Sequence, residues 1–156
     1  MRSFVDIEAV KNPILLVSRV LMMLLFLVFG WQKLTGFGGT TAYFAHLGLP
    51  LPAIATCMAI VMELGVGAAV MLGLLTRPLA VVLGIYTIVV AFIGHPFWTL
   101  SGADQVNAEI HFFKNISIMA GLLTLFITGA GRYSLDSWFG LDLSPASSGS
   151  PRKAWQ

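Results

Sequence analysis

Four long apolar segments occupy most of this chain, and they constrain its fold more than any other feature. Each is close to the roughly 20 residues that an α-helix needs to cross the hydrocarbon core of a bilayer. The bilayer offers no water to an unpaired backbone group, so each spanning segment is expected to be helical. The predicted spans are residues 13–34, 53–75, 78–98 and 107–128.

A very short connection, "TRP" at residues 76–78, separates the second predicted span from the third. Helices joined by so few residues run antiparallel beside each other. The sequence therefore predicts an all-α membrane protein, an up-down four-transmembrane-helix bundle over residues 1–139. The remaining residues, 140–156, are polar and rich in serine, and they are predicted to form a disordered C-terminal tail.

The composition agrees with an integral membrane protein and excludes several classes of function. The chain is 57% hydrophobic and 10% charged, whereas soluble domains contain about 25% charged residues. Its single cysteine, Cys57, excludes a disulfide, a CxxC pair or a multi-cysteine metal site within one chain. The basic residues form no extended run, so nucleic-acid binding is not expected.

Lysine and arginine residues are distributed unevenly around the spans and predict an orientation. One side of the membrane would hold only Lys33 beside a span, and the other side would hold Arg2, Lys11, Arg77, Arg132, Arg152 and Lys153. Flanking basic residues favour the cytoplasm, so both termini are expected to be cytoplasmic. The connection at residues 35–52 is then expected to be a loop on the opposite side of a bacterial inner membrane.

Three charged residues, Arg19, Glu63 and Lys114, lie inside predicted spans. A charge that faced lipid at the bilayer centre would cost about 2.5–3.5 kcal/mol, so these side chains are expected to face the bundle interior. Counting about 1.5 Å per helical residue places them at successive depths roughly 5 Å apart. We therefore expect Glu63 to lie between Lys114 on one side and Arg19 on the other.

A polar stripe follows the fourth predicted span. Asn107, His111, Lys114 and Asn115 are separated by three or four residues, so they share one helix face. We expect this face to line the bundle interior and to join the network around Glu63. The stripe includes a histidine, which raises the question of a metal or haem site.

His95 precedes a proline, where the third span is expected to end, and it is predicted to face the same cavity as His111. The spans contain no further histidine pair, and the chain contains no CxxCH motif. A metal or haem site is therefore not expected.

The intramembrane polar residues have two interpretations. Membrane bundles use interior polar side chains to hold helices together, and this structural interpretation is favoured for Arg19, because a guanidinium stays protonated. A buried carboxylate can also accept and donate protons in a reaction. For Glu63 both interpretations stay open.

Several short motifs, taken together, resemble the DoxX family of small four-helix membrane proteins. The resemblance covers about residues 14–139. It rests on Arg19 followed by "FGWQKLTGF" at 29–37, "LGLPLP" at 47–52, "MELGVG" at 62–67, "LGLLTRP" at 72–78, "FFKN" at 112–115 and "GAGRYSLD" at 129–136.

The resemblance implies a multi-pass protein of the bacterial inner membrane. Some family members are subunits of a thiosulfate:quinone oxidoreductase, and others resemble partners of secreted redox enzymes. The positions that the matching motifs imply to be functional are Arg19, Lys33, Glu63, Arg77, His111 and Asn115.

The first hypothesis is a quinone-interacting subunit of a membrane oxidoreductase, with no cofactor of its own and with a redox partner protein that supplies electrons. A quinone needs an apolar cleft, polar groups at its carbonyl oxygens and groups that exchange protons. The predicted proton-exchanging, catalytic residues are Glu63, His111 and Lys114. The predicted quinone-binding residues are Arg19, Lys33, His95, Asn115, Trp98 and Phe112.

Two other hypotheses come from different classes of function. The second is a membrane scaffold that binds a partner protein through the connection at residues 35–52, and it predicts that substitutions of Glu63 and His111 are tolerated. The third is a small-molecule carrier, suggested by the midplane carboxylate. Because four spans are few for a monomeric carrier, that hypothesis requires a homo-oligomer.

Overall fold

The computed structural model describes residues 7–141, and within that range the chain is all helical. A π-helical turn, Val61–Val66, joins α3 to α4 without a break, and a short 3₁₀ turn, Phe97–Thr99, follows α5. The α-helices are α1 (Ile7–Thr35), α2 (Phe37–His46), α3 (Pro52–Ile60), α4 (Gly67–Leu72), α5 (Thr76–Gly94), α6 (Gly102–Thr128) and α7 (Leu135–Trp138).

Four helical segments in the described range are long and apolar enough to cross a membrane, which confirms the predicted fold class. They are Ala9–Thr35, Pro52–Leu72, Thr76–Thr99 and Gly102–Thr128. Large apolar side chains project outward all along them; Leu21 is 64% exposed and Ile127 is 72% exposed. Since such side chains are unfavourable in water, these surfaces contact the lipid of the bilayer.

The turn between the second and third spans lies three residues earlier than predicted. Gly73 ends α4 in the left-handed conformation (φ +76°), and Leu74 N–H donates to Ala69 O over 2.8 Å. This is a Schellman ending, which glycine favours because it has no side chain to clash. Pro78 therefore lies in the first turn of α5, where its missing N–H costs no hydrogen bond.

The connection at residues 35–52, expected to be a loop, contains the ten-residue helix α2. This helix packs against α3, and Thr41 Oγ1 lies 3.1 Å from Thr56 Oγ1 across the contact. Two glycines, Gly38 and Gly39, weaken the helical pattern of this segment in the sequence, since glycine is a poor helix former. Packing against α3 therefore stabilises a helix that the helix propensity of this segment alone would not favour.

We call one end of the bundle the α2 end, because α2 lies there beside the last residues of α1 and α5, Thr35 and Gly94. The opposite end is called the Arg19 end. The buried apolar core lies between them and includes Met23, Val70, Leu83 and Leu122. Between α5 and α6 the helices approach so closely that a Cβ on Gly84 would lie 2.7 Å from Met119 Sδ. Small residues allow such close contacts between membrane helices.

Arg19 does not approach Glu63, so the expected arrangement of Glu63 above Arg19 is wrong. Arg19 is 1% exposed, and its guanidinium donates to Met71 O (3.0 Å), to Tyr133 O (2.8 Å) and to Ala130 O. The physical reason is that the segment after α6 folds back across the Arg19 end and offers carbonyl groups there. Arg19 thus ties α1 to α4 and to the C-terminal segment.

Asp136 completes this connection at the start of α5. Its carboxylate accepts from Leu75 N–H (2.6 Å) and Thr76 N–H (2.9 Å), two N–H groups at the start of α5 that have no partner within the helix. The "GAGRYSLD" segment is therefore a structural clamp at the Arg19 end. Of the predicted C-terminal tail, residues 142–156 lie outside the described residues.

Replacing Arg19 by methionine is expected to lower the free energy of unfolding by about 3 kcal/mol, since three carbonyl oxygens would lose donors worth roughly 1 kcal/mol each. The measurement is thermal or denaturant unfolding in detergent. Arg132→Met is the matched control, because Arg132 lies in the same segment and is exposed. Equal stability of the two variants would contradict the clamp.

Candidate ligand-binding cavity

A cavity of about 480 Å³ opens between the helices at the α2 end. Its volume lies within the range of roughly 300–1,000 Å³ typical of small-molecule sites. Its walls come from α1, α2, α3, α5 and α6 and from the π-helical turn. Most are apolar: Leu25, Phe26, Phe29, Phe44, Leu47, Leu49, Ala55, Met58, Ala59, Met62, Val89, Val90 and Ile93.

One group of polar residues at the cavity, called here the carboxylate cluster, consists of Lys33, Glu63 and Tyr86. Glu63 Oε2 lies 2.8 Å from Lys33 Nζ, and Glu63 Oε1 accepts from the Tyr86 hydroxyl over 2.7 Å. Glu63 is buried, and the Lys33 side chain is 22% exposed. The partner of Glu63 is therefore Lys33 rather than Lys114, which corrects the sequence expectation.

The local backbone explains why Lys33 reaches Glu63. Glu63 lies on the π-helical turn, which is wider than an α-helical turn and changes the direction in which its side chain projects. Gly30, one turn before Lys33 on α1, packs directly against this turn. A Cβ at Gly30 would lie 2.9 Å from Glu63 Cβ and 2.9 Å from Leu64 Cγ, so glycine is required for this approach.

A second polar group, called here the histidine cluster, consists of His95, His111, Lys114 and Asn115. The rings of His95 and His111 stack with centroids 5.0 Å apart, which confirms that they face the same cavity. Lys114 Nζ lies 2.8 Å from His111 Nδ1. Since an ammonium can only donate, Nδ1 is the acceptor, and the ring proton of a neutral His111 is on Nε2.

Asn115 completes the histidine cluster and is 8% exposed. It lines the cavity, and within the described part of the chain no hydrogen bond engages its side-chain amide. Asn107, in contrast, is exposed and does not line the cavity. The predicted stripe is therefore wrong at Asn107, because α6 begins at Gly102 and its first turns precede those that face the cavity.

Trp98 and Phe112 were expected to bind a quinone, but neither lines the cavity. After α5 ends, the 3₁₀ turn brings Phe97 and Trp98 against the aromatic residues of α6. Phe112 lies edge-on to Phe92 at 5.2 Å and close to Phe97 at 5.4 Å. These rings form an aromatic cluster beside the cavity, and Trp98 is 53% exposed.

Other sequence-predicted positions also lie away from the cavity. Arg19 is at the opposite end of the bundle, and Arg77 lies near Gly129, where a glycine Cβ would meet Arg77 Nε at 3.3 Å. In contrast, Tyr43 and Phe44 of α2 line the cavity and were not predicted. Two adjacent aromatic residues in a connection expected to be a loop were the sequence signal that could have pointed to them. Across residues 9–141, no three histidine, cysteine or acidic side chains converge as metal ligands would.

The arrangement can accommodate an amphipathic molecule. Aromatic and aliphatic walls suit an apolar ring or chain, and the two polar clusters provide hydrogen-bond donors and groups able to exchange protons. The carboxylate cluster satisfies its own hydrogen bonds. The histidine cluster keeps donors available to a ligand.

Comparisons with known proteins agree with this architecture. The DoxX family model matches residues 14–96. Inner membrane protein YphA of Escherichia coli K12 is 42% identical over 133 residues, which cover 85% of this chain and 95% of the relative. Inner membrane protein YqjF of the same strain is 40% identical over 124 residues, or 78% of this chain and 88% of the relative. No solved structure gives a significant match.

Neutralising Glu63 alone, as Glu63→Gln, is expected to lower the free energy of unfolding by about 2 kcal/mol, because a part-buried Lys33 would lose its counter-ion. The double variant with Lys33→Met should recover most of this loss. Unfolding measurements on the two single variants and the double variant give the coupling between them. Glu109→Gln, which neutralises an exposed carboxylate on α6, is the control, and additive effects of the two substitutions would refute the pairing.

Gly30→Ala should separate α1 from the π-helical turn and destabilise the protein by about 1–3 kcal/mol, as overpacking does. Gly38→Ala is the matched control, because nothing lies within 4 Å of a Cβ at that helical glycine. Thermal unfolding of both variants decides the question. If Gly30→Ala is as stable as the control, the close approach is not required.

Proposed function

The chain belongs to the DoxX family of multi-pass inner membrane proteins, and from that premise we propose that it is a quinone-binding membrane subunit of an oxidoreductase. The observation that carries the proposal is the cavity of about 480 Å³ inside the bundle, with apolar walls and two polar clusters. A protein that served only to hold helices together would have no need of such a space. Close-packed interiors contain few voids of this size.

The residues present fit a quinone. Its ring is apolar and flat, and the walls offer Phe26, Phe29 and Phe44 for ring contacts. Its carbonyl oxygens accept hydrogen bonds, and the unengaged amide of Asn115 can donate one from a position beside Lys114. When bound, a quinone supplies two-electron, two-proton redox chemistry.

The histidine cluster is suited to moving a proton. His111 keeps Nδ1 as the acceptor from Lys114, so Nε2 is the ring position that can donate. Imidazole is the side chain that most readily changes protonation near neutral pH. Glu63, in contrast, already accepts from Lys33 and Tyr86, so a proton on its carboxylate would weaken the ion pair. We propose that His111 exchanges protons and that Glu63 maintains the cavity.

We also propose that the electrons come from a separate redox partner protein. The single cysteine of the chain excludes an internal dithiol as the donor. The excess of lysine and arginine at the Arg19 end supports an orientation in which that end is cytoplasmic. The α2 end would then face the periplasm, where such a partner would approach.

One observation favours the scaffold as a second candidate. The carboxylate cluster has all of its charges paired, as expected for a structural brace. The exposed aromatic side chains of α2, including Tyr43 at 48% exposure, would then contact a partner protein. This alternative predicts that a quinone does not stabilise the protein.

A short-chain ubiquinone is expected to stabilise the nanodisc-embedded protein against heat, and His111→Ala should lose this effect. At a quinone concentration near 100 times Kd, the expected stabilisation is about 2.7 kcal/mol. Asn107→Ala, one helical turn away and outside the cavity, is the matched control and should respond as the wild type does. Equal stabilisation of His111→Ala would overturn the assignment of His111, and no stabilisation of any variant would overturn the quinone proposal.

A further inference from the structure

The charges that face the cavity do not balance. Two ammonium groups, those of Lys33 and Lys114, and one carboxylate, that of Glu63, line it. Lys33 is paired with Glu63, so the carboxylate cluster is neutral as a unit. No carboxylate in the described chain lies within ion-pair distance of Lys114. With neutral histidines, the cavity therefore carries one uncompensated positive charge.

Lys114 is held in place by groups that cannot neutralise it. Its Nζ donates to His111 Nδ1, and it lies 5.4 Å from the centroid of the Phe29 ring. Lys33 Nζ lies 5.6 Å from the same centroid, so two ammonium groups lie against one aromatic ring. A cation–π contact stabilises an ammonium but leaves its charge unbalanced. Inside a membrane, such a half-buried cation calls for an anion.

Asn115 adds an independent observation at the same place. It is the next residue on α6, and it is more than nine-tenths buried. Its amide lines the cavity and has no hydrogen-bond partner within residues 9–141. The amide atoms stay accessible from the cavity, so a molecule bound there can hydrogen-bond to them. An ammonium and an unengaged amide therefore line the same cavity from adjacent residues of α6, and together they provide the kinds of donor that an anion site uses.

We propose that the cavity selects an amphipathic organic anion, with Lys114 as its counter-ion and Asn115 as a hydrogen-bond donor to its charged oxygen. The apolar body of the ligand lies along Phe26, Phe29 and Met62. The identity of the ligand rests on the proposed function. If the protein binds a quinone, the ligand is the ionised form of a hydroxyquinone rather than a neutral quinone. Lys33 takes no part, because Glu63 already neutralises it.

A matched pair of ligands tests the inference. The compound 2-hydroxy-1,4-naphthoquinone is an anion at neutral pH, because its hydroxyl is a vinylogous carboxylic acid, and its methyl ether has the same ring without the charge. Calorimetric titration of the nanodisc-embedded protein should give the anion a Kd about tenfold lower than the ether, the factor expected for one charge-assisted hydrogen bond. The Lys114→Gln variant should bind the two compounds with the same Kd, and its Kd for the ether should differ little from that of the wild type.

Arg132→Gln is the control for a general effect of net charge, since it removes an exposed positive charge outside the cavity. It should keep the wild-type preference for the anion. Asn115→Ala provides a second variant at the site and should weaken binding of the anion more than binding of the ether. Should Lys114→Gln fail to fold, Asn115→Ala and the wild-type preference still decide the question.

A second pair of probes, decanoate and decanol, separates this inference from the proposed function. If neither naphthoquinone compound binds but decanoate binds more tightly than decanol and requires Lys114, the anion site stands and the quinone role fails. If the wild type binds hydroxynaphthoquinone and its ether equally, the anion selectivity is overturned and the quinone role stands. If none of the four probes binds, both are overturned.

Discussion

A polar group inside a lipid bilayer must find its partner within the protein, and this bundle meets that requirement differently at its two ends. At the Arg19 end, the guanidinium engages three carbonyl groups from α4 and the C-terminal segment. Asp136 supplies the acceptor that the first N–H groups of α5 lack. The charged groups of this clamp, the Arg19 guanidinium and the Asp136 carboxylate, are engaged by backbone groups, and the buried Thr76 hydroxyl beside them has no hydrogen-bond partner in the described chain. The clamp therefore has a structural role.

At the α2 end, the same requirement is met only in part. The carboxylate cluster closes on itself, but Lys114 and Asn115 keep a charge and an amide directed at a cavity. A charge at membrane depth without a counter-ion is expensive, so it is a marker of function. The two ends therefore differ in how their charges are paired: Arg19 and Asp136 are engaged by backbone groups, whereas Lys114 has no carboxylate partner in the described chain and faces a cavity. This difference is the main argument for the proposed ligand at the α2 end.

The fold was predictable because spanning a bilayer imposes a length and a composition that sequence displays directly. The partners inside the bundle were harder to predict. Counting residues gives the depth of Glu63 but not its direction around the helix axis, and the π-helical turn changes that direction. The pairing of Arg19 depended on a fold-back of the C-terminal segment that no periodicity indicates. His95 and His111 were predicted together because a proline and a helix face placed both at the same end.

The structural and functional interpretations of the polar residues are compatible once the two clusters are separated. Glu63 joins α1, the π-helical turn and α5 through Lys33 and Tyr86, so these bonds link three walls of the cavity. A ligand held at Lys114 and Asn115 would leave those bonds intact, so binding would not remove the contacts that hold α1, the π-helical turn and α5 together. The proposed ligand could therefore enter and leave without a rearrangement of the helices, because the groups that set the architecture, Glu63, Lys33 and Tyr86, are not those proposed to bind it.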